Sequence, residues 1–73
     1  MAALPVLSGQ EVVRALESLG WEVARQRGSH IVMTKEGEYA SLSVPDHKEV
    51  SKGTLRSLLR AANLTIDEFV AAL

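Results

Sequence analysis

Two runs, Ser29-His30-Ile31-Val32-Met33-Thr34 and Tyr39-Ala40-Ser41-Leu42-Ser43-Val44, constrain this chain most, because both alternate with a period of two. In the first, Ile31 and Met33 fall on one face and His30, Val32 and Thr34 on the other. In the second, Ala40, Leu42 and Val44 oppose Tyr39, Ser41 and Ser43. A sheet with one apolar and one polar side satisfies both patterns, and such a sheet packs helices on its apolar side only. His30 is therefore expected on the uncovered side, with the hydroxyls of Thr34, Ser41 and Ser43 and with Tyr39.

The flanking segments supply those helices. Ser8-Gly9-Gln10-Glu11 reads as a capping box, with Leu7 and Val12 as its hydrophobic staple and Val12, Leu16 and Leu19 as an apolar face. Gly20 supplies a left-handed stop. Trp21 to Gln26 then reads as a first strand whose Trp21 and Val23 point at the helix, with Trp21 as core anchor. Gly28 and the Lys35-Glu36-Gly37-Glu38 segment turn the chain into the two alternating strands. Pro45 ends pairing, 46–50 forms a polar loop, and Ser51 caps a second helix with Leu55, Leu58, Leu59 and Ala62 as its apolar face. Asn63 stops that helix, and Thr65-Ile66-Asp67-Glu68, a second capping box with Leu64 and Phe69 as staple, opens a short last one whose face is Ile66, Phe69, Val70 and Leu73. The expected class is α+β, in the order α-β-β-β-α plus a short C-terminal helix, with a three-stranded antiparallel meander and the helices on one face.

With 73 residues the chain has room for one domain, 1–73, of modest stability. The absence of Cys excludes disulfides, thiolate zinc sites and a cysteine nucleophile. Met1 to Leu7 is too short and uncharged for a signal peptide, and no apolar run reaches the ~20 residues of a membrane span, so a soluble cytoplasmic protein without membrane contact is expected. Net charge is -1, yet between Arg25 and Arg60 seven basic residues face four acidic ones, a local balance of +3, while residues 1–24 and 61–73 carry -2 each. A basic middle between acidic ends suits a phosphate-facing surface, and equally suits ordinary solubility.

With Leu7-Ser8-Gly9-Gln10-Glu11-Val12-Val13, Gly28-Ser29-His30, Val44-Pro45-Asp46-His47 and Gly53-Thr54-Leu55-Arg56-Ser57-Leu58-Leu59-Arg60 in this order and spacing, the chain resembles the HicA (YcfA-like) toxin family from about Leu7 to Leu73. The resemblance implies a fold similar to double-stranded RNA-binding domains, ribosome-independent cleavage of mRNA, and inhibition by a HicB-type antitoxin that covers the active site. It also implies that His30 is the catalytic residue. Lys52 stands where many relatives have Pro, and Asn63 where many have Gly; both substitutes suit a helix start and a left-handed stop.

The chemistry is accessible to these residues. RNA is cut without metal when its 2′-hydroxyl attacks the adjacent phosphate, which calls for a base, an acid for the leaving 5′-oxygen, and positive charge. Histidine serves either proton-transfer role because its reference pKa lies near neutrality. His30 supplies one role and His47 is a candidate for the second. Arg25 and Arg27 before His30, Lys48 and Lys52 at the second helix start, and Arg56 and Arg60 along it are the phosphate-contact candidates, helped by helix amides near Gly53 and Thr54. From spacing alone the Lys52, Arg56 and Arg60 stripe reads as a solvated helix face; the resemblance favours phosphate. Two histidines without Cys leave a zinc site incomplete, so no metal or cofactor is expected. mRNA and a HicB-like antitoxin are the expected partners, and no DNA contact is expected. The alternatives are a non-catalytic RNA-binding module of the same fold and a purely protein-binding domain.

Overall fold

The computed structural model describes residues 3–73; Met1 and Ala2, the start of the segment weighed as a signal peptide, lie outside the described residues. The elements run α1 (Gly9–Ser18), β1 (Glu22–Arg27), β2 (His30–Thr34), β3 (Leu42–Pro45), α2 (Lys52–Ala61) and α3 (Ile66–Ala71). The sheet is antiparallel in the order β1-β2-β3. This is the α+β arrangement expected from the sequence. Among the described residues no helix is long and apolar enough to cross a membrane.

Local chemistry sets the helix ends. At α1 the Ser8 hydroxyl accepts from the Glu11 amide while the Glu11 carboxylate accepts from the Ser8 amide, and at α3 Thr65 and Glu68 do the same. Gly20 at φ 96° and Asn63 at φ 59° make the left-handed exits. No basic residue occupies the last turn of α1. Lys35, just beyond β2, fills that role by donating from Nζ to the Leu19 carbonyl at 3.1 Å, its methylenes lying over Gly20.

The helices cover one side of the sheet. Ile31 and Met33 of β2 and Leu42 and Val44 of β3 are buried with Val12, Leu16, Trp21, Leu55, Leu59 and Phe69. Each such side chain contributes about 1.5 to 3 kcal/mol through burial. Trp21 is held by packing, since its buried indole Nε1 has no hydrogen-bond partner.

Several expectations are corrected. Tyr39, Ala40 and Ser41 precede β3 and are exposed, so the third strand is shorter than the alternation suggested. Val50, placed by the sequence in a polar loop, is buried, because Leu7 and Val50 form a β-bridge in which the Val50 amide donates to the Leu7 carbonyl at 2.8 Å. Leu4 joins the same core. Val23 shares the helix side of β1 yet is 45% exposed on this edge strand, and Leu73 is likewise exposed.

The start of α1 packs closely against the segment after β3 at Gly9. Its amide donates to the His47 carbonyl at 2.9 Å, and a Cβ added there would collide with the carbonyl oxygen of Pro45. Gly9→Ala should therefore destabilise the protein by about 1 to 3 kcal/mol in urea unfolding, since backbone cannot yield as a side-chain tip can. A pH effect follows from the caps. The Ser8 and Thr65 amides, then the hydroxyls, hold the Glu11 and Glu68 carboxyls below the usual carboxylate value. The folded state then binds fewer protons than the unfolded one, so this stabilisation is complete above the unfolded pKa and is lost as pH falls through the folded one. A Glu11→Gln/Glu68→Gln variant should show a shallower loss of stability than the wild type between neutral and acidic pH.

Candidate functional site

β1 and β2 are joined by the two-residue loop Gly28-Ser29, with Gly28 at φ 58°. A positive φ at the first loop position suits a tight hairpin that follows the strand twist, and glycine adopts it without a Cβ clash. His30 is the first residue after this loop. It pairs directly with Arg27 of β1 on one side and Pro45 of β3 on the other.

Directly opposed residues of antiparallel strands share a face. Since Ile31 and Met33 point into the core, the open face carries His30 with Arg27, and next to them the row Arg25, Val32 and Ser43. His30, Arg25, Arg27 and Ser43 are all exposed, and Val32 is half-buried. Ser43 Oγ lies 3.4 Å from His30 Nδ1, a long contact that places a hydroxyl beside that nitrogen. Of the hydroxyl side chains expected around His30, Ser43 alone is hydrogen-bonded to it among the described residues. Thr34 lies at the other end of β2, about 13 Å along the strand, while Tyr39 and Ser41 precede β3.

A β-bulge decides that Arg25 and Arg27 belong to this face. Val23 pairs with Met33, but Arg25 pairs with Val32, so Ala24 is an extra residue in β1. In an uninterrupted strand Trp21, Val23, Arg25 and Arg27 would all point the same way. The bulge leaves Trp21 and Val23 on the helix side and turns the two arginines outward. Sequence reading placed both arginines near the turn but missed their orientation; the sequence carries no marker of the bulge beyond the small Ala24.

A polar clamp holds the hairpin end. The Asp46 amide donates to the Ser29 carbonyl at 2.7 Å, and its carboxylate accepts from Gln10 Nε2 and Gln26 Nε2, each at 3.1 Å. Gln26 Nε2 also donates to the Gly28 carbonyl at 3.1 Å. Asp46 thus ties the start of α1 and the end of β1 to the loop that presents His30. Gln10, Gln26 and Asp46 were missed as a set because they lie far apart in sequence.

The remaining candidates lie elsewhere. His47 is exposed in the bend after β3, and its carbonyl, not its ring, has the assigned role of receiving the Gly9 amide. No hydrogen bond joins the two imidazoles among the described residues. Lys48 follows in the same bend, and Lys52 is the first residue of α2. The Thr54 amide, a candidate for phosphate, is taken by the Ser51 hydroxyl at 3.2 Å. Arg56 and Arg60 line a surface groove with Leu59, Leu64, Thr65 and Ile66. That groove lies in the helix layer, so these two arginines are on the opposite side of the sheet from His30. Among the described residues no group of three His, Cys, Asp or Glu side chains is placed to hold a metal ion.

This geometry can be set beside known proteins. Residues 9–64 match the family described as the HicA toxin of bacterial toxin-antitoxin systems. A chain in a toxin-antitoxin complex from Streptococcus pneumoniae superposes with a TM-score of 0.71 at 36% identity, covering 80% of this chain and 98% of that one. No curated protein matches the sequence.

The bulge generates a test. Deleting Ala24 forces either Trp21 out of the core or the arginines inward, so it should lower the stability by about 2 kcal/mol or more. Ala24→Ser keeps the residue count and should stay within about 0.5 kcal/mol of wild type. Thermal unfolding of the two variants measures the contrast.

Proposed function

This chain belongs to the HicA toxin family of bacterial toxin-antitoxin systems, and from that premise we propose that it is an endoribonuclease cleaving mRNA, with His30 as its catalytic residue. The observation that carries this reading is the exposed His30 imidazole on an open sheet face, beside two exposed arginines whose guanidinium groups make no side-chain hydrogen bond or ion pair among the described residues. A histidine kept for packing would sit on the other face with Ile31 and Met33.

In the proposed reaction the ribose 2′-hydroxyl attacks its own 3′-phosphate. The P–O5′ bond breaks, leaving a 2′,3′-cyclic phosphate and a 5′-hydroxyl. One proton leaves the 2′-oxygen and one is delivered to the 5′-oxygen. His30 performs one of these transfers through Nε2, while the Ser43 hydroxyl at Nδ1 steadies the ring. Arg25 and Arg27 supply charge to the phosphates, strengthened in the pentacoordinate state. The reaction needs no cofactor. His47 serves as the second acid or base only if the bend after Pro45 carries its ring toward substrate. Lys48 and Lys52, in the segment following Pro45, extend the basic surface, and Arg56 and Arg60 hold RNA beyond the catalytic face.

The partner in this reading is a HicB-like antitoxin that masks the open face. A small basic surface around one exposed histidine is readily covered by an acidic protein of matching shape. The S. pneumoniae chain was found in a toxin-antitoxin complex, which supports such a partner. We place the reaction in the cytoplasm, where mRNA is the substrate.

The test is incubation of wild-type and His30→Ala proteins with a long single-stranded RNA in EDTA, with circular dichroism on both. Cleavage should drop at least about 10³-fold in the variant with its fold unchanged, since the side chain is exposed. Equal activity in both would remove His30 from the mechanism. RNA bound by both and cut by neither would favour the non-catalytic RNA-binding module.

A further inference from the structure

The register of β1 against β2 says more than that arginines are near His30. Arg27 stands directly across from His30, and Arg25 directly across from Val32. Beyond the bulge these two side chains point the same way, two residues apart on an extended strand, a rise of about 6.8 Å. Two residues of extended polypeptide and one nucleotide of a sugar-phosphate chain each comprise six backbone bonds. Their repeats are therefore nearly equal, and a ribose-phosphate chain laid along β1 can meet Arg27 and Arg25 with consecutive phosphates.

The rest of the face argues for a single strand read through its backbone. The chain has one Trp, one Tyr and one Phe. Trp21 and Phe69 are buried, and Tyr39 stands outside the sheet. Among the described residues no Trp, Tyr or Phe lies on the open face as a platform for stacking bases, so beside His30 that face offers two guanidiniums, the Ser43 and Thr34 hydroxyls and the aliphatic Val32, with the Glu22 carboxylate at its far end, beyond Arg25. A stacked duplex also holds its 2′-oxygens out of line with the leaving 5′-oxygens, whereas a single strand can rotate into line.

We propose that the open face binds single-stranded RNA by two successive phosphates, the scissile one between Arg27 and His30 and its neighbour on Arg25, with the RNA backbone running along β1. This rests on the endoribonuclease reading and assigns separate roles within it. Arg27 acts on the reacting phosphate and Arg25 positions the strand. The Ala24 bulge is what brings both onto the catalytic face.

The experiment uses short oligonucleotides with a single ribose, so that one linkage alone can be cut. The first has one phosphate; two others carry an additional phosphate on the 5′ or the 3′ side. With wild-type protein, one of the extended substrates should show kcat/KM about tenfold above the one-phosphate substrate, mostly through KM. Arg25→Ala should bring that ratio to about one. Arg27→Ala should lower kcat on all three by roughly 10²-fold while preserving the ratio. Circular dichroism checks that both variants fold.

The proposal is overturned if neither extension helps, or if Arg25→Ala leaves the ratio intact. Should the wild type cut neither these nor a long RNA, the endoribonuclease reading fails by itself. The register is then read from binding of the same series made wholly with 2′-O-methyl sugars, measured by fluorescence anisotropy. A gain from the second phosphate that disappears in Arg25→Ala supports it, and a gain that persists or is absent overturns it.

Discussion

Burial of one side of a three-stranded sheet is the constraint on which the rest of this small structure depends. Ile31, Met33, Leu42 and Val44 have no cover other than the helices, and the helices have no other place for Val12, Leu16, Leu55 and Leu59. Because side chains alternate, committing these residues to the core commits His30, Val32 and Ser43 to the opposite, open face. The exposed imidazole follows from the packing of its neighbours and costs the core nothing.

A second constraint places that imidazole within a defined end of the molecule. The start of α1 is pressed against the segment following β3 so closely that only glycine fits at position 9. Asp46 completes the junction by receiving amides from Gln10 and Gln26 and donating to Ser29. Three elements therefore meet at the hairpin loop before His30, a part of a small sheet that is mobile without such ties. The same junction commits the His47 carbonyl to α1, so the second histidine takes part in the fold through its backbone.

How much was legible depended on whether the cause was local. Capping boxes at Ser8 and Thr65, the left-handed exits at Gly20 and Asn63, and the turn at Gly28 are each decided within a few residues, and each is read directly from the sequence. Tyr39 to Ser41 alternate as a strand would but lack a pairing partner at that point of the sheet. Val50 looks like part of a polar loop because its reason for burial, the bridge to Leu7, lies 43 positions away. Val23 has the spacing of a core residue but lies on an edge strand and stays 45% exposed.

The sequence by itself determined the order of elements, the two faces of β2 and β3, and the outward direction of His30, since these rest on periodicity and on bonds between near neighbours. Tertiary structure decided which charges share that face. The extra residue at Ala24 reverses the parity of β1, bringing Arg25 and Arg27 beside His30, while packing of α2 on the covered side carries Arg56 and Arg60 away. Both outcomes depend on how strands and helices register against one another, a relation between distant residues that no local pattern encodes.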